Sequence, residues 1–330
     1  MLYLHGMGHF YPDNIITNKF LEDLDIGTSE EWILERVGIK TRRTILPLDY
    51  IKETKNVNRL EAPRVAQYNH SQMGAAAARM AMTRASLKPE DIGLLVAGTS
   101  SPDNVAPAEA SSVAAELGME LPCFDMNSAC STFGMQINFL SRMQSEALPS
   151  YILIVNAETM TKTVDYSDRS TAVLFGDGCS AAIVSTSVPG RALFTGCSYD
   201  SRPSGWNKVG ITHDWLFYQE GNTVQGYAIR TTTEGVKKLK DEFAARAQRF
   251  IFIGHQANMG VLETVCERTK ILPANHWYNV DQYGNTASSG APCVLSQRWD
   301  EIKNGDYIAM SIVGAGLSWA HVMLQVGDDK

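Results

Sequence analysis

One of the six cysteines in this 330-residue chain, Cys130, lies where a thiol could act as a nucleophile. The segment from Cys123 to Leu140 reads as a short strand, a turn of small residues (Asn127-Ser-Ala) and an apolar helix that opens at the cysteine. At the positive end of a helix a thiolate is favoured and its pKa is depressed, which suits attack on an electrophile. A buried structural role describes most cysteines equally well, and it is the reading for Cys123, Cys179, Cys197, Cys266 and Cys293. His255, in Gly254-His-Gln-Ala-Asn258, follows one apolar run, and Asn285, in Gly284-Asn-Thr286, follows the next. Strand ends are where α/β proteins build sites, although each residue alone also fits a plain polar turn. The glycine-rich Val313-Gly-Ala-Gly316-Leu-Ser-Trp319 could be a hairpin, a phosphate loop or an oxyanion loop; it lacks the P-loop lysine and no helix clearly follows, which disfavours nucleotide binding. The cysteines form no CxxC pair and no zinc spacing, so reduced thiols and no metal are expected.

The elements that would position these residues form a repeat. Apolar, β-rich segments begin at Gly93, Cys123 and Tyr151, and again at Phe250, Trp277 and Tyr307, with about 27 to 30 residues between successive starts. Each half then closes on another apolar run, Ser180–Val184 in the first and Trp319–Leu324 in the second. Helix-like stretches lie between, at Ser71–Arg84, Ala108–Leu117 and Thr233–Phe250. Strands alternating with helices predict an α/β fold, and two similar halves, 1–185 and 186–330, predict a pseudo-twofold molecule with its site where they meet. A net charge of -7 is the wrong sign for a protein that coats nucleic acid. The start of the chain lacks the basic region of a signal peptide and reads as a first strand, and no window reaches the roughly 18 apolar residues of a membrane span, so a cytoplasmic protein is expected.

Cys130, His255 and Asn285 in these contexts closely resemble the 3-oxoacyl-acyl-carrier-protein synthase III family of the thiolase superfamily. The resemblance runs over essentially the whole chain and includes Thr28-Ser-Glu-Glu-Trp32-Ile-Leu-Glu-Arg36-Val-Gly-Ile, Leu174-Phe-Gly-Asp-Gly178 and Gly314-Ala-Gly316-Leu-Ser-Trp319. It implies a duplicated, five-layer αβαβα fold, usually a homodimer. Elongating ketoacyl synthases pair cysteine with two histidines and thiolases use a second cysteine; Asn285 as third member separates this chain from both. By resemblance, Cys130 takes an acyl group from an acyl-CoA, and its backbone N–H faces the oxyanion together with the Ala315-Gly316 loop. His255 and Asn285 then stabilise the enolate formed as a malonyl-acyl carrier protein loses CO2, with no cofactor beyond the CoA thioesters themselves. Trp32, Arg36, Arg169 and Asn258 match positions that hold CoA, and Lys237 and Arg268 match the basic face that docks the carrier protein.

Three departures bear on carrier-protein docking and substrate choice. Around Val105-Ala106-Pro107, where acetyl-using members place a bulky aromatic across the dimer interface to cap the acyl pocket, this chain has small aliphatic residues, and a pocket without that cap would admit a primer of medium length. A basic residue frequent after the His-Gln-Ala-Asn motif is Gly260 here. The stretch from about 46 to 72 reads as an exposed insertion. Two other readings stand beside condensation in fatty acid biosynthesis: an acyltransferase of specialised metabolism using another acceptor, and a non-catalytic partner subunit, which would be expected to have lost part of the triad.

Overall fold

The structure, a computed structural model, describes residues 1–327. In chain order the strands are β1 (Tyr3–Phe10), β2 (Asn14–Thr17), β3 (Thr41–Thr44), β4 (Leu94–Ala97), β5 (Cys123–Asp125), β6 (Ile152–Thr159) and β7 (Asp177–Ser185). They continue with β8 (Ala192–Ser201), β9 (Val209–Ile211), β10 (Phe217–Gln219), β11 (Arg249–Gly254), β12 (Asp306–Gly314) and β13 (Ser318–Val326). Nine of them form one sheet in the order β11-β12-β13-β8-β1-β7-β6-β4-β5, while β2 pairs with β3 and β9 with β10 as separate hairpins.

Duplication is written in that order. In the first half β5 and β4 are parallel, β4 and β6 parallel, β6 and β7 antiparallel, and β7 and β1 antiparallel. In the second half β11 and β12 are parallel, β12 and β13 antiparallel, and β13 and β8 antiparallel. The halves join through a short antiparallel seam, Tyr3 opposite Leu193 and Leu4 opposite Ala192. Alternation along the strands separates two cores. Ile152, Ile154, Ile308, Met310 and Ile312 face an inner core with Phe133, Ile137, Val294 and Leu295, whereas Leu153, Val155, Tyr307 and Ala309 face outer helices.

The inner core is the layer between the half-sheets. Helix Thr132–Leu140, which belongs to the first half, packs on β8 and β13 of the second, and helix Gly290–Gln297 packs reciprocally on β1 and β7. Helices His70–Ala85 and Gly221–Phe243 cover the outer faces. Helix, half-sheet, helix, half-sheet, helix is the five-layer thiolase arrangement. Gly134 permits the close crossing, since a Cβ there would sit 2.4 Å from Ala320 Cβ. Among the described residues no helix is long and apolar enough to cross a membrane.

Three elements differ from expectation. Trp277–Asp281 forms no strand: the parallel pairing with β11 is a single bridge, Phe252 to His276, after which the Asn279 and Val280 N–H groups donate to Gln256 Oε1 (2.9 and 3.1 Å) and the chain turns into a helix at Val280–Tyr283. The helix expected over Thr233–Phe250 instead spans Gly221–Phe243, and Phe250 belongs to β11. The 46–72 stretch is not a loose excursion. It holds helices Leu48–Thr54 and Ala62–Val65, and Leu46, Ile51, Asn56 and Ala62 are fully buried. Asn56, at φ 53°, donates its amide to the carbonyls of Lys162 (3.1 Å) and Val164 (2.9 Å), so the insertion is riveted beside β6. Replacing Asn56 by Ala strands those carbonyls and removes the left-handed tolerance of Asn; a loss of about 3 kcal/mol is expected. A lower urea midpoint at unchanged m-value checks it, and unchanged stability contradicts it.

Candidate active site

A cavity of about 600 Å3 opens where the halves meet, and Cys130, His255 and Asn285 all line it. Cys130 ends a tight turn that follows β5. Ala129 is held at φ 47°, its N–H donates to Asn127 Oδ1 (2.9 Å), and Ser131 N–H returns to Ser128 O (3.1 Å) before the central helix starts at Thr132. The hairpin between β12 and β13 closes over this turn. A Cβ on Gly314 would lie 2.8 Å from Ser131 N and 3.1 Å from Cys130 N, so only glycine allows the approach.

His255 extends β11 by one residue, its N–H bonded to Ser311 O (2.9 Å) of β12. Its Nδ1 is buried without a partner, and burial lowers the ring's pKa to about 4, so the imidazole is neutral at pH 7 with one N–H and one lone pair. Asn285 is pinned to the other half: its N–H donates to Leu174 O (2.9 Å) and Gly176 N–H to Asn285 O (3.1 Å). Gly176 is obligatory there, because a Cβ would fall 2.1 Å from Tyr283 O. Ala287 N–H can only donate, and it bonds Asn285 Oδ1 (2.9 Å), which leaves the Asn285 amide NH2 free to donate into the cavity.

The thiol of Cys130 departs from expectation. Burial, together with the nearby Glu158 carboxylate, pushes it up to about 12 rather than down. The helix terminus two residues on does not outweigh those two effects.

Trp32, Arg36, Arg169 and Asn258 line the same cavity at its mouth. The Arg169 guanidinium lies over the Trp32 ring, 5.0 Å from its centroid, and also donates to Gly27 O; Asn258 caps helix Met259–Thr269 by accepting from Val261 N–H (3.1 Å). Ala315 lines the cavity beside Gly314, whereas Gly316, in the same turn, is not among its lining residues. Val105 and Ala106, expected to reach an acyl pocket across a dimer interface, do not line the cavity of their own chain. They are exposed, Val105 by 98%, on the loop after β4, and the wall of this chain's cavity is made instead by Met160, Val173, Phe175, Val209, Ile211 and Phe217. Lys237 and Arg268 lie away from the cavity, exposed on two neighbouring outer helices. Gly314, Phe175 and Phe217 were not singled out from sequence; the glycine-rich turn and the Leu174-Phe-Gly motif were the available signals.

A duplicated five-layer fold with a Cys–His–Asn cavity at the junction defines a thiolase-fold acyltransferase of the condensing type. Family models described as 3-oxoacyl-[acyl-carrier-protein] synthase III match residues 124–201, and that family's C-terminal region matches residues 247–326. The protein is 30% identical to beta-ketoacyl-[acyl-carrier-protein] synthase III of Chlamydia caviae, over 96% of this chain and 95% of the relative. It is 29% identical to the enzyme of the same name from Caldanaerobacter subterraneus, over 97% of this chain and 96% of the relative. The crystal structure of 3-oxoacyl-[acyl-carrier-protein] synthase III from Aquifex aeolicus superimposes with a TM-score of 0.85 at 27% identity, covering 98% of this chain and 100% of that one. The chain belongs to the 3-oxoacyl-acyl-carrier-protein synthase III family.

With its thiol neutral at rest, Cys130 should react with iodoacetamide at a rate that climbs about tenfold per pH unit through pH 9, following the thiolate fraction. Peptide mapping should find Cys130 modified before the fully buried Cys179 and Cys293. A rate plateau below pH 8 would mean that the helix terminus wins.

Proposed function

We propose that the protein catalyses decarboxylative Claisen condensation of an acyl-CoA primer with malonyl-acyl carrier protein, giving a 3-oxoacyl-acyl carrier protein, CO2 and CoA in fatty acid biosynthesis. The observation that carries this reading is the convergence of Cys130, His255 and the free amide of Asn285 on one cavity. In the first half-reaction the Cys130 sulfur attacks the thioester carbon. Because the thiol is neutral at rest, its proton leaves as the bond forms, the neutral His255 can accept it, and the departing CoA sulfur takes it up. Backbone N–H groups of Cys130 and the Ala315-Gly316 turn are assigned to the transient oxyanion.

In the second half-reaction the malonyl carboxylate leaves as CO2, and its bonding electrons pass into an enolate on the thioester. The His255 N–H and the Asn285 amide both donate to that oxygen, and the enolate carbon displaces the Cys130 sulfur from the acyl group. A neutral imidazole serves this step, and burial keeps His255 neutral through the physiological range. The thioester carbonyl is the electron sink, so the reading calls for no metal or redox cofactor. Trp32 and Arg169 are assigned to the adenine and Arg36 to the phosphates of CoA, with Asn258 near the pantetheine arm. Exposed Lys237 and Arg268 are assigned to the acidic carrier protein, and a cytoplasmic homodimer is the expected form.

Substitution separates the two steps. Asn285→Ala should form the acyl-enzyme at nearly the normal rate and lose condensation by about 100-fold to 1000-fold. His255→Ala should lose condensation to the same degree but slow acylation by only about tenfold, since water can replace it as proton acceptor. Rapid-quench measurement of acyl-enzyme, beside labelled CO2 release, reads both. Equal loss of both steps in His255→Ala would make proton removal from Cys130 its main work instead.

The apolar wall of Met160, Val173, Val209, Ile211 and Phe217 supports a primer longer than acetyl. Primers of about six to ten carbons should outcompete acetyl-CoA, because each buried methylene contributes about 0.8 kcal/mol. A clear preference for acetyl-CoA in a competition read by intact mass contradicts this.

A further inference from the structure

One fully buried carboxylate in the catalytic layer takes no part in the mechanism above. Glu158 ends β6 and is 0% exposed. It accepts six hydrogen bonds, divided evenly between its oxygens. Oε1 takes Ser288 N–H (3.2 Å), Ser288 Oγ–H and Ser100 Oγ–H (3.3 Å); Oε2 takes Ser100 N–H (3.0 Å), Thr99 Oγ1–H (3.2 Å) and Ser101 Oγ–H (3.2 Å). Ser288 lies three residues after Asn285 in the second half, and Ser100 lines the cavity from the loop after β4 in the first. A single side chain therefore ties the Asn285 turn, the cavity wall and β6 together.

We propose that Glu158, as a carboxylate, is a positioning residue for the condensation: it holds the Asn285 turn in register with Cys130 across the junction of the two halves and sets the charge against which the thiol ionises. The proposal rests on the condensation reading for Asn285, on the hydrogen bonds of the carboxylate for its positioning role, and, for the thiol, on its field at Cys130 together with its bonds to Ser100, which lines the same cavity as Cys130. Each carboxylate oxygen receives one backbone N–H, a group that can only donate. A glutamine in the same place would turn its NH2 against one of those two N–H groups whichever way it faced, so the site is built for an anion. Three titratable groups share its surroundings. The Cys130 thiol is raised by burial first and by its field second, the Cys179 thiol by burial and Cys293 before its field, and His70 reaches it through Thr99, whose hydroxyl lies 3.5 Å from His70 Nε2, while the Thr159 hydroxyl, 3.1 Å from the same nitrogen, connects to it only by way of Ser101. His70 itself sits between Asp103 and Glu109, with Lys162 bonded to Asp103 (2.9 Å), so the outer end of the chain is charge-balanced.

The test compares Glu158→Gln, Glu158→Asp and Ser288→Ala by two readouts: the pH profile of Cys130 alkylation by iodoacetamide, which requires no acyl substrate, and CO2 release from malonyl-acyl carrier protein. Removing the charge in Glu158→Gln should lower the alkylation midpoint by about one pH unit and cut CO2 release by about 100-fold. Glu158→Asp keeps the charge with a shorter reach, so its midpoint should stay near the parent's while CO2 release falls by about tenfold or more. Ser288→Ala should behave like Glu158→Asp. A Glu158→Gln protein with an unmoved midpoint and nearly normal CO2 release overturns the proposal. If that variant does not fold, normal CO2 release by both Glu158→Asp and Ser288→Ala overturns it. Parent protein that releases no CO2 overturns the condensation reading instead and leaves the midpoint shift to decide the electrostatic role of Glu158.

Discussion

Reciprocal packing of the two central helices between the half-sheets is the constraint on which the rest of this structure depends. Thr132–Leu140 starts two residues after the nucleophile and lies against β8 and β13, while Gly290–Gln297 starts five residues after Asn285 and lies against β1 and β7. Each half thus buries its own helix in the other half. The turns that precede the helices, one carrying Cys130 and one carrying Asn285, are brought to a common cavity by that exchange. Glycines mark the contacts: Gly314 against the Cys130 backbone, Gly134 against Ala320 and Gly290 against Gln256 leave no room for a Cβ without displacement. The inner core of Ile, Val, Leu and Phe side chains supplies the driving force for the packing, and the polar site is a by-product of where the helices must begin.

The same burial that drives packing sets the chemistry. Desolvation disfavours any charged form, so the thiol of Cys130 is raised and the imidazole of His255 lowered, and the site holds two neutral groups. Neutral donors suit an enolate, which carries its charge only transiently and gains most from dipoles already in place. The helix dipole at Thr132 acts in favour of the thiolate but against two opponents, water exclusion and the Glu158 carboxylate. Charge on sulfur is then formed during attack on the thioester rather than stored beforehand.

Much of this was legible in the sequence because strand ends and small-residue turns leave local marks. Cys130, His255 and Asn285 each follow an apolar run, and the runs before Cys130 and His255 are strands of the central sheet, β5 and β11. That Trp277–Asp281 forms no fifth strand in the second half was not legible, because the cause is tertiary: the Gln256 carboxamide captures the Asn279 and Val280 N–H groups that a ladder would otherwise use. Composition misread the 46–72 stretch for a similar reason, since its many charged residues face outward while a few, Leu46, Ile51 and Asn56, are fixed in the core. Resemblance placed Val105 and Ala106 at the acyl pocket, but within one chain they stand clear of it. Glu158 carried a local signal that went unused, a carboxylate closing the apolar run Ile152-Leu-Ile-Val-Asn-Ala, where an unpaired charge would be prohibitively costly.

The central claim is that Cys130 carries the acyl group from one thioester to the other. Intact-mass spectrometry of the protein mixed with an acyl-CoA, then chased with malonyl-acyl carrier protein, tests it most directly. The account predicts one acyl adduct on Cys130 that disappears in the chase as a carrier-bound 3-oxoacyl chain two carbons longer forms with one CO2. An adduct that survives the chase, one that maps to another residue, or no adduct at all would contradict it.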